Sequence, residues 1–285
     1  MKRLLVKSAI VLFAIVFSGC ATSMGTSTYY PNVITKVKEK EAYSINNPTK
    51  KIVVIFTPGS GHNLKPTPCT PNKPNSPYGI PNVLLDLSKK SIKDNQVILD
   101  GFCSKEVGTK FSKYSIETKP EARSKDIIKK IEMYVKSGIP EKHIFISGHS
   151  VGGWTALLVG QKLKYDIGGI IAFAPAFAGK YKTRTDFWKK IYKDRINKLK
   201  QSEYINGIVF AFKGDPFNKQ EDLSFLKYVK GIKFVPLSDE YMEEKVGYEC
   251  SEFNKRNIGK HKSVYKECFR ESQNKAIINF IKSSL

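Results

Sequence analysis

One stretch limits the folds open to this chain more than any other. The apolar run 143–147 passes straight into Gly148-His149-Ser150-Val151-Gly152-Gly153, and a helical pattern begins near Trp154. A chain that passes from strand to helix in so few residues must turn very tightly. Residues two before and two after the serine then crowd each other, and glycine at both positions removes the Cβ atoms that would collide. The turn leaves the serine hydroxyl exposed at the edge of a sheet, above a helix N-terminus whose peptide dipoles favour negative charge.

The rest of the chain fits such a setting. From residue 50 onward, apolar runs at 52–57, 97–102, 143–147, 168–174, 207–212 and 232–237 alternate with helical periodicity at 82–93, 120–136, 151–164, 220–229 and 272–282. The runs carry few polar positions, which predicts strands buried on both faces, in a mostly parallel central sheet with helices on both sides. Residues 33–43 read as one or two antiparallel edge strands. Two segments break the alternation: 58–81, rich in Pro, Asn and Gly, and 176–206, aromatic and basic with a helical rhythm, which reads as a small cap-like insertion. At 285 residues a single α/β domain over 33–285 suffices.

The N-terminus is a separate object. Met1-Lys2-Arg3 and Lys7 make a positive start, 8–17 is apolar, and Ser18-Gly19-Cys20 follows. The apolar run, about 10 residues, is shorter than the roughly 20 that span a bilayer, so 1–19 reads as a secretory signal peptide. Small residues directly before a cysteine resemble the lipobox of bacterial lipoproteins. That resemblance implies that Cys20 is lipidated, for instance with palmitate, and becomes the first residue of the mature chain. It also implies a protein of the bacterial cell envelope, held on a membrane by its lipid anchor. Residues 20–32, rich in Ser, Thr, Gly and Tyr, read as a flexible tether.

Without Cys20, four cysteines remain: Cys69, Cys103, Cys250 and Cys268. An even number in a chain bound for an oxidising compartment points to disulfides, with three pairings open. There is no C-x-x-C spacing to suggest zinc. The formal charge of +22 loses Lys2, Arg3 and Lys7 with the signal and falls to +19. The excess is mostly Lys and dispersed, whereas nucleic-acid readers concentrate basic residues on one stripe, often as Arg. No nucleic-acid partner is expected.

With the strand, the glycine-bracketed serine and the helix together, the chain from about Lys50 to its C-terminus resembles the α/β-hydrolase superfamily, nearest in flavour to esterases and dienelactone-hydrolase-like proteins. The resemblance implies an α/β-hydrolase fold with Ser150 as nucleophile, followed in the chain by an acid and then a histidine. His62, His143 and His149 all precede Ser150, so in that order the base is His261. The acid is Asp215, in Lys213-Gly214-Asp215-Pro216 directly after the run 207–212, with Asp239 as the alternative. The oxyanion donors it implies are the backbone N–H of Val151 and one from the 57–62 loop, at Ser60 in preference to Gly61. The strand order implies the pairings Cys69–Cys103 and Cys250–Cys268, the second closing a loop around His261. The expected reaction is hydrolysis of a small-molecule or lipid ester through an acyl-enzyme, with no cofactor or metal. Peptidase, thioesterase, lipase and acyltransferase chemistry use the same parts. A non-catalytic lipoprotein that binds a ligand on this fold is the rival from another class.

Overall fold

The computed structural model describes residues 25–30, 43–59, 79–104, 119–163, 166–250 and 259–285. At its centre the described residues form an eight-stranded sheet in the order β1-β4-β2-β5-β6-β7-β8, with β3 paired to β4. The strands are β1 (Gly25–Tyr30), β2 (Lys51–Thr57), β3 (Ser91–Ile92), β4 (Asn95–Ser104), β5 (Ile144–His149), β6 (Gly169–Phe173), β7 (Gly207–Phe212) and β8 (Ile232–Leu237). From β4 to β8 every neighbouring pair is parallel; β1 and β3 run antiparallel to β4.

Successive side chains of a strand point to opposite faces, and β2 divides accordingly. Ile52, Val54 and Phe56 join one buried cluster with Leu84, Phe173, Phe210, Phe269 and Ile277, while Val53 and Ile55 join another with Ile127, Trp154, Leu157 and Val209. Helices α1 (Asn82–Leu87) and α7 (Glu267–Ser284) cover the first face; α2 (Lys119–Lys136), α3 (Val151–Lys162) and α4 (Asp186–Lys200) cover the second. Apolar runs without alternation are the expected mark of strands covered on both sides. Edge strand β8 departs from this pattern, being mostly half-exposed, and it carries Pro236, which an edge strand tolerates.

The structure differs from the expectation at several elements, each for a local reason. The helix expected over 82–93 ends at Leu87, closed by turns in which the amides of Lys89 and Lys90 bond Asp86 O and Leu87 O, and farther on Lys93 and Asp94 both take positive φ, 47° and 62°. They form a two-residue hairpin that pairs Ile92 with Asn95 and starts β4 early. The helix expected over 220–229 is α5 (Gln220–Leu223) followed by a 3-10 turn at Ser224–Tyr228. Helix α6 (Asp239–Val246) was not expected, although both its ends are marked. Ser238 Oγ accepts the Tyr241 N–H at 3.2 Å, and Gly247 ends the helix at φ 79°.

The tether reading is corrected for Gly25–Tyr30, which pair along β4 from Gly25 opposite Ser104 to Tyr30 opposite Leu99. Thr and Tyr suit a pleated surface, but the Ser, Thr and Gly content of 20–32 masked that signal. Residues 33–42 of the expected edge strands lie outside the described residues, as do Cys20 and the whole signal segment 1–19.

The insertion 176–206 holds a 3-10 turn at Tyr181–Thr183 and then α4. Ile196 and Leu199 of α4 are buried in the α2–α3 cluster. Phe177 packs on Trp154 at 4.5 Å between ring centroids and on Tyr192 at 5.7 Å. The cap aromatics Phe177 and Tyr192 thus pack on the body, while Phe187 is 59% exposed.

Candidate active site

The chain leaves β2 for β4 on one side and returns to β5 on the other, so the carboxyl ends of β2 and β5 border a point where strand order reverses. Open α/β sheets bind ligands at such points. Gly59 follows β2 there, and Ser150 follows β5.

The turn at Ser150 is as tight as the sequence requires. Ser150 sits at φ 58°, ψ −122°, outside the regions a side-chain-bearing residue ordinarily occupies. A Cβ on Gly148 would overlap the carbonyl carbon of Gly152, and one on Gly152 would overlap the carbonyl oxygen of Thr57. At Gly153 it would lie 3.0 Å from the carbonyl oxygens of both Gly148 and Phe173. The turn is held by the Ser150 N–H donating to Phe173 O at 3.0 Å and by Ser150 O accepting from Trp154 and Ala176, at 2.9 and 3.0 Å. Val151 begins α3, so its N–H has no acceptor within the helix. A Cβ on Gly59 would lie 3.5 Å from Ser150 Oγ, which brings the end of the β2 loop against the serine. Ser60, the expected second donor, lies outside the described residues.

Asp215 and His261, 46 residues apart, meet in the interior. His261 Nδ1 is 2.7 Å from Asp215 Oδ2, and both side chains are almost fully buried. Because a carboxylate only accepts, Nδ1 carries the proton in the neutral imidazole, which leaves a lone pair on Nε2. That Nε2 is buried and has no hydrogen-bond partner among the described residues.

The loop after β7 keeps Asp215 in place. Its Oδ1 accepts from the amides of Phe217 and Asn218 at 2.7 and 3.4 Å. Asn218, also buried, donates to Pro175 O at 2.6 Å, next to the Ala176 amide that holds Ser150. Arg184 of the insertion donates to Asn218 Oδ1 at 2.5 Å and to Phe217 O, and its guanidinium lies 4.0 Å over the Tyr192 ring. Burial lowers the Arg184 pKa and pushes the Tyr192 phenol up to about 12. Sequence reasoning missed Asn218 and Arg184. Neither had a local signal: the Asx-turn chemistry of Gly214-Asp215-Pro216 belongs to Asp215, whose Oδ1 accepts the Phe217 amide, while Asn218 and Arg184 act on partners far away in the chain.

The alternative acid is engaged elsewhere. Asp239 begins α6 and pairs with Lys260 and with Lys266, the latter at 3.2 Å. Burial raises its carboxyl, and the two lysines outweigh burial, so the net shift is downward. His143 is also spoken for, with Nδ1 2.9 Å from Lys51 O. A disulfide joins Cys250 to Cys268 with Cα atoms 5.6 Å apart, so the chain carrying His261 is bracketed between α6 and α7. Cys103 is disulfide-bonded as well; Cys69, its expected partner, lies outside the described residues. Among the described residues, no group of three or more His, Cys, Asp or Glu gathers as metal ligands.

Sheet order, the two helical layers and the turn at Ser150 together define an α/β-hydrolase fold. The sequence profile of the family described as serine aminopeptidase, S33, matches residues 121–224, which include Ser150 and Asp215. No curated protein matches the sequence significantly. Among solved structures, the complex of DcsB with its substrate analogue aligns with a TM-score of 0.55 at 10% identity, covering 82% of this chain and 91% of that one. A phospholipase/carboxylesterase from Dyadobacter fermentans aligns at 0.41 and 14% identity, covering 76% and 90%. Est1E from Butyrivibrio proteoclasticus aligns at 0.46 and 12%, covering 84% and 88%. At 10% identity, the likeness to the DcsB complex is one of fold alone.

Proposed function

We propose that this protein is a serine hydrolase that cleaves a carboxylic ester of a small molecule or lipid. The observation that carries the reading is the buried Asp215–His261 pair: its Nε2 has no hydrogen-bond partner among the described residues, and the His261 ring packs on His149, the residue before Ser150 in its strained turn. In the reaction, Ser150 Oγ attacks the acyl carbon and its proton passes to His261 Nε2. The amides of Val151 and Ser60 hold the oxyanion, each contributing a few kcal/mol of barrier lowering in comparable sites, about 3. Collapse of the tetrahedral intermediate breaks the bond to the alkoxide, which takes the proton from His261, and leaves an acyl-serine. Water then attacks with His261 as base, releasing the acid and restoring the serine. Asp215 holds the imidazole tautomer and stabilises the imidazolium.

An aminopeptidase would use the same chemistry on an amide, and the profile match supports the chemistry more than the substrate. The test is labelling by a fluorophosphonate probe, together with hydrolysis of p-nitrophenyl esters from acetate to palmitate and of aminoacyl p-nitroanilides. Ester turnover that disappears in Ser150→Ala is expected. Turnover of the anilides alone would move the assignment to a peptidase, and no labelling at all would move it to a binding protein. The anchor belongs to the same proposal: labelling with an alkyne fatty acid is expected in the full chain and lost in Cys20→Ala.

A further inference from the structure

The site holds a second buried histidine for which this reaction has no assigned use. His149 ends β5, directly before Ser150, and is 5% exposed. Its Nε2 lies 2.7 Å from the carbonyl oxygen of His261. A carbonyl oxygen only accepts, so Nε2 carries a proton and donates it. The other ring nitrogen, Nδ1, faces the Tyr265 hydroxyl at 3.4 Å. The ring packs against His261 with centroids 4.8 Å apart and against the edge of Tyr265 at 5.2 Å.

Because both ring nitrogens are engaged, His149 is poorly placed to take the serine proton. The two contacts on His261 constrain different things. Asp215 grips the ring at Nδ1 and sets its rotation and tautomer. His149 grips the main chain, and because it is covalently joined to Ser150, its bond sets the distance between the backbone of the nucleophile and that of the base. This matters because His261 rides on a short 3-10 segment, Lys260–Tyr265, a geometry with weaker hydrogen bonds than an α-helix. Misplacement of a catalytic group by about 1 Å can cost 100-fold in rate.

Resting on the serine-hydrolase reading, we propose that His149 is a positioning residue for that reaction: its Nε2–H, bonded to the His261 carbonyl, ties the base to the nucleophile turn.

The test uses the full chain with His149→Leu, His149→Gln and His149→Asn, reading kcat and KM for p-nitrophenyl ester hydrolysis per titrated active site and the rate of fluorophosphonate labelling. Gln carries an N–H close to the place of Nε2, and Asn is too short to reach the carbonyl. The expected result is kcat about 10–100-fold lower in the Leu and Asn variants, KM within about twofold, and recovery of most of the loss with Gln. If Leu does not fold, the Gln and Asn pair decides the matter. A Leu or Asn variant with unchanged kcat per active site overturns the proposal, as does a loss that Gln fails to restore. Those outcomes leave the hydrolase reading standing while wild-type protein labels and turns over ester. Wild-type protein that does neither overturns both.

Discussion

Asp215 holds His261 from one carboxylate oxygen at 2.7 Å, while its other oxygen takes the amide of Phe217 at the same distance. Replacing Asp215 by Asn keeps the size but offers His261 an N–H as readily as an acceptor, so the imidazole loses its preferred tautomer. The expected kcat for ester hydrolysis is about 10,000-fold lower, with an unchanged circular dichroism spectrum. Asp239→Asn is expected to retain kcat within a few-fold, since that carboxylate bonds lysines; a steady-state comparison of the two variants checks both.

Ser150 stores backbone strain. A non-glycine residue at φ 58°, ψ −122° costs on the order of 1–3 kcal/mol, which glycine would not incur, although glycine gives back some stability through the unfolded chain. Ser150→Gly is therefore expected to abolish turnover and to raise Tm by a few degrees, as read by calorimetry. A Tm below that of Ser150→Ala would contradict the strain.

Lys130 is stabilised in the interior by a ring of partners. It lies 3.0 Å from Asp100, bonds the hydroxyls of Tyr43 and Tyr29 at 2.6 and 3.1 Å, and sits 5.5 Å or less from the ring centroids of Tyr29, Tyr43, Phe102 and Tyr134. The Tyr134 hydroxyl donates to Asp100 at 2.7 Å. The cluster fastens Tyr29 of β1 and Tyr43 to the body. Lys130→Met leaves Asp100 buried without its cation and is expected to cost about 3–5 kcal/mol in urea unfolding. Adding Asp100→Asn should recover part of that loss.

Asp239 gives the protein an acid-sensitive contact. Its folded pKa is lowered below the ordinary carboxylate value, so its contribution is fully present above the unfolded pKa and disappears as pH falls through the folded one. Wild-type protein is expected to lose stability over that acidic range more steeply than Asp239→Asn. Urea midpoints measured across the range check this, and parallel curves for the two proteins would refute it.

Much of the fold was legible because its determinants are local. β2, β6 and β7 fall within a residue or so of their apolar runs, since strands covered on both faces need no polar alternation, and the half-exposed edge strand β8 matches its run as well. The failures lie where a few residues outweigh periodicity, as at Lys93-Asp94, where two positive φ angles make a hairpin at the end of the expected helix. Helix α6 escaped notice because its eight residues carry little apolar pattern.

The sequence by itself determined the turn at Ser150, since glycine at 148, 152 and 153 is demanded by atoms within that turn and by the strand ends beside it. It also determined which histidine follows the serine in the chain. Tertiary structure alone decided the partners: that Asp215 rather than Asp239 meets His261, that Asn218 and Arg184 brace the acid's loop, and that His149 reaches the main chain of residue 261. These pairs are separated by tens of residues or more than a hundred, and hydrogen bonds over such separations are set by how strands and helices pack, which no local pattern of residues encodes.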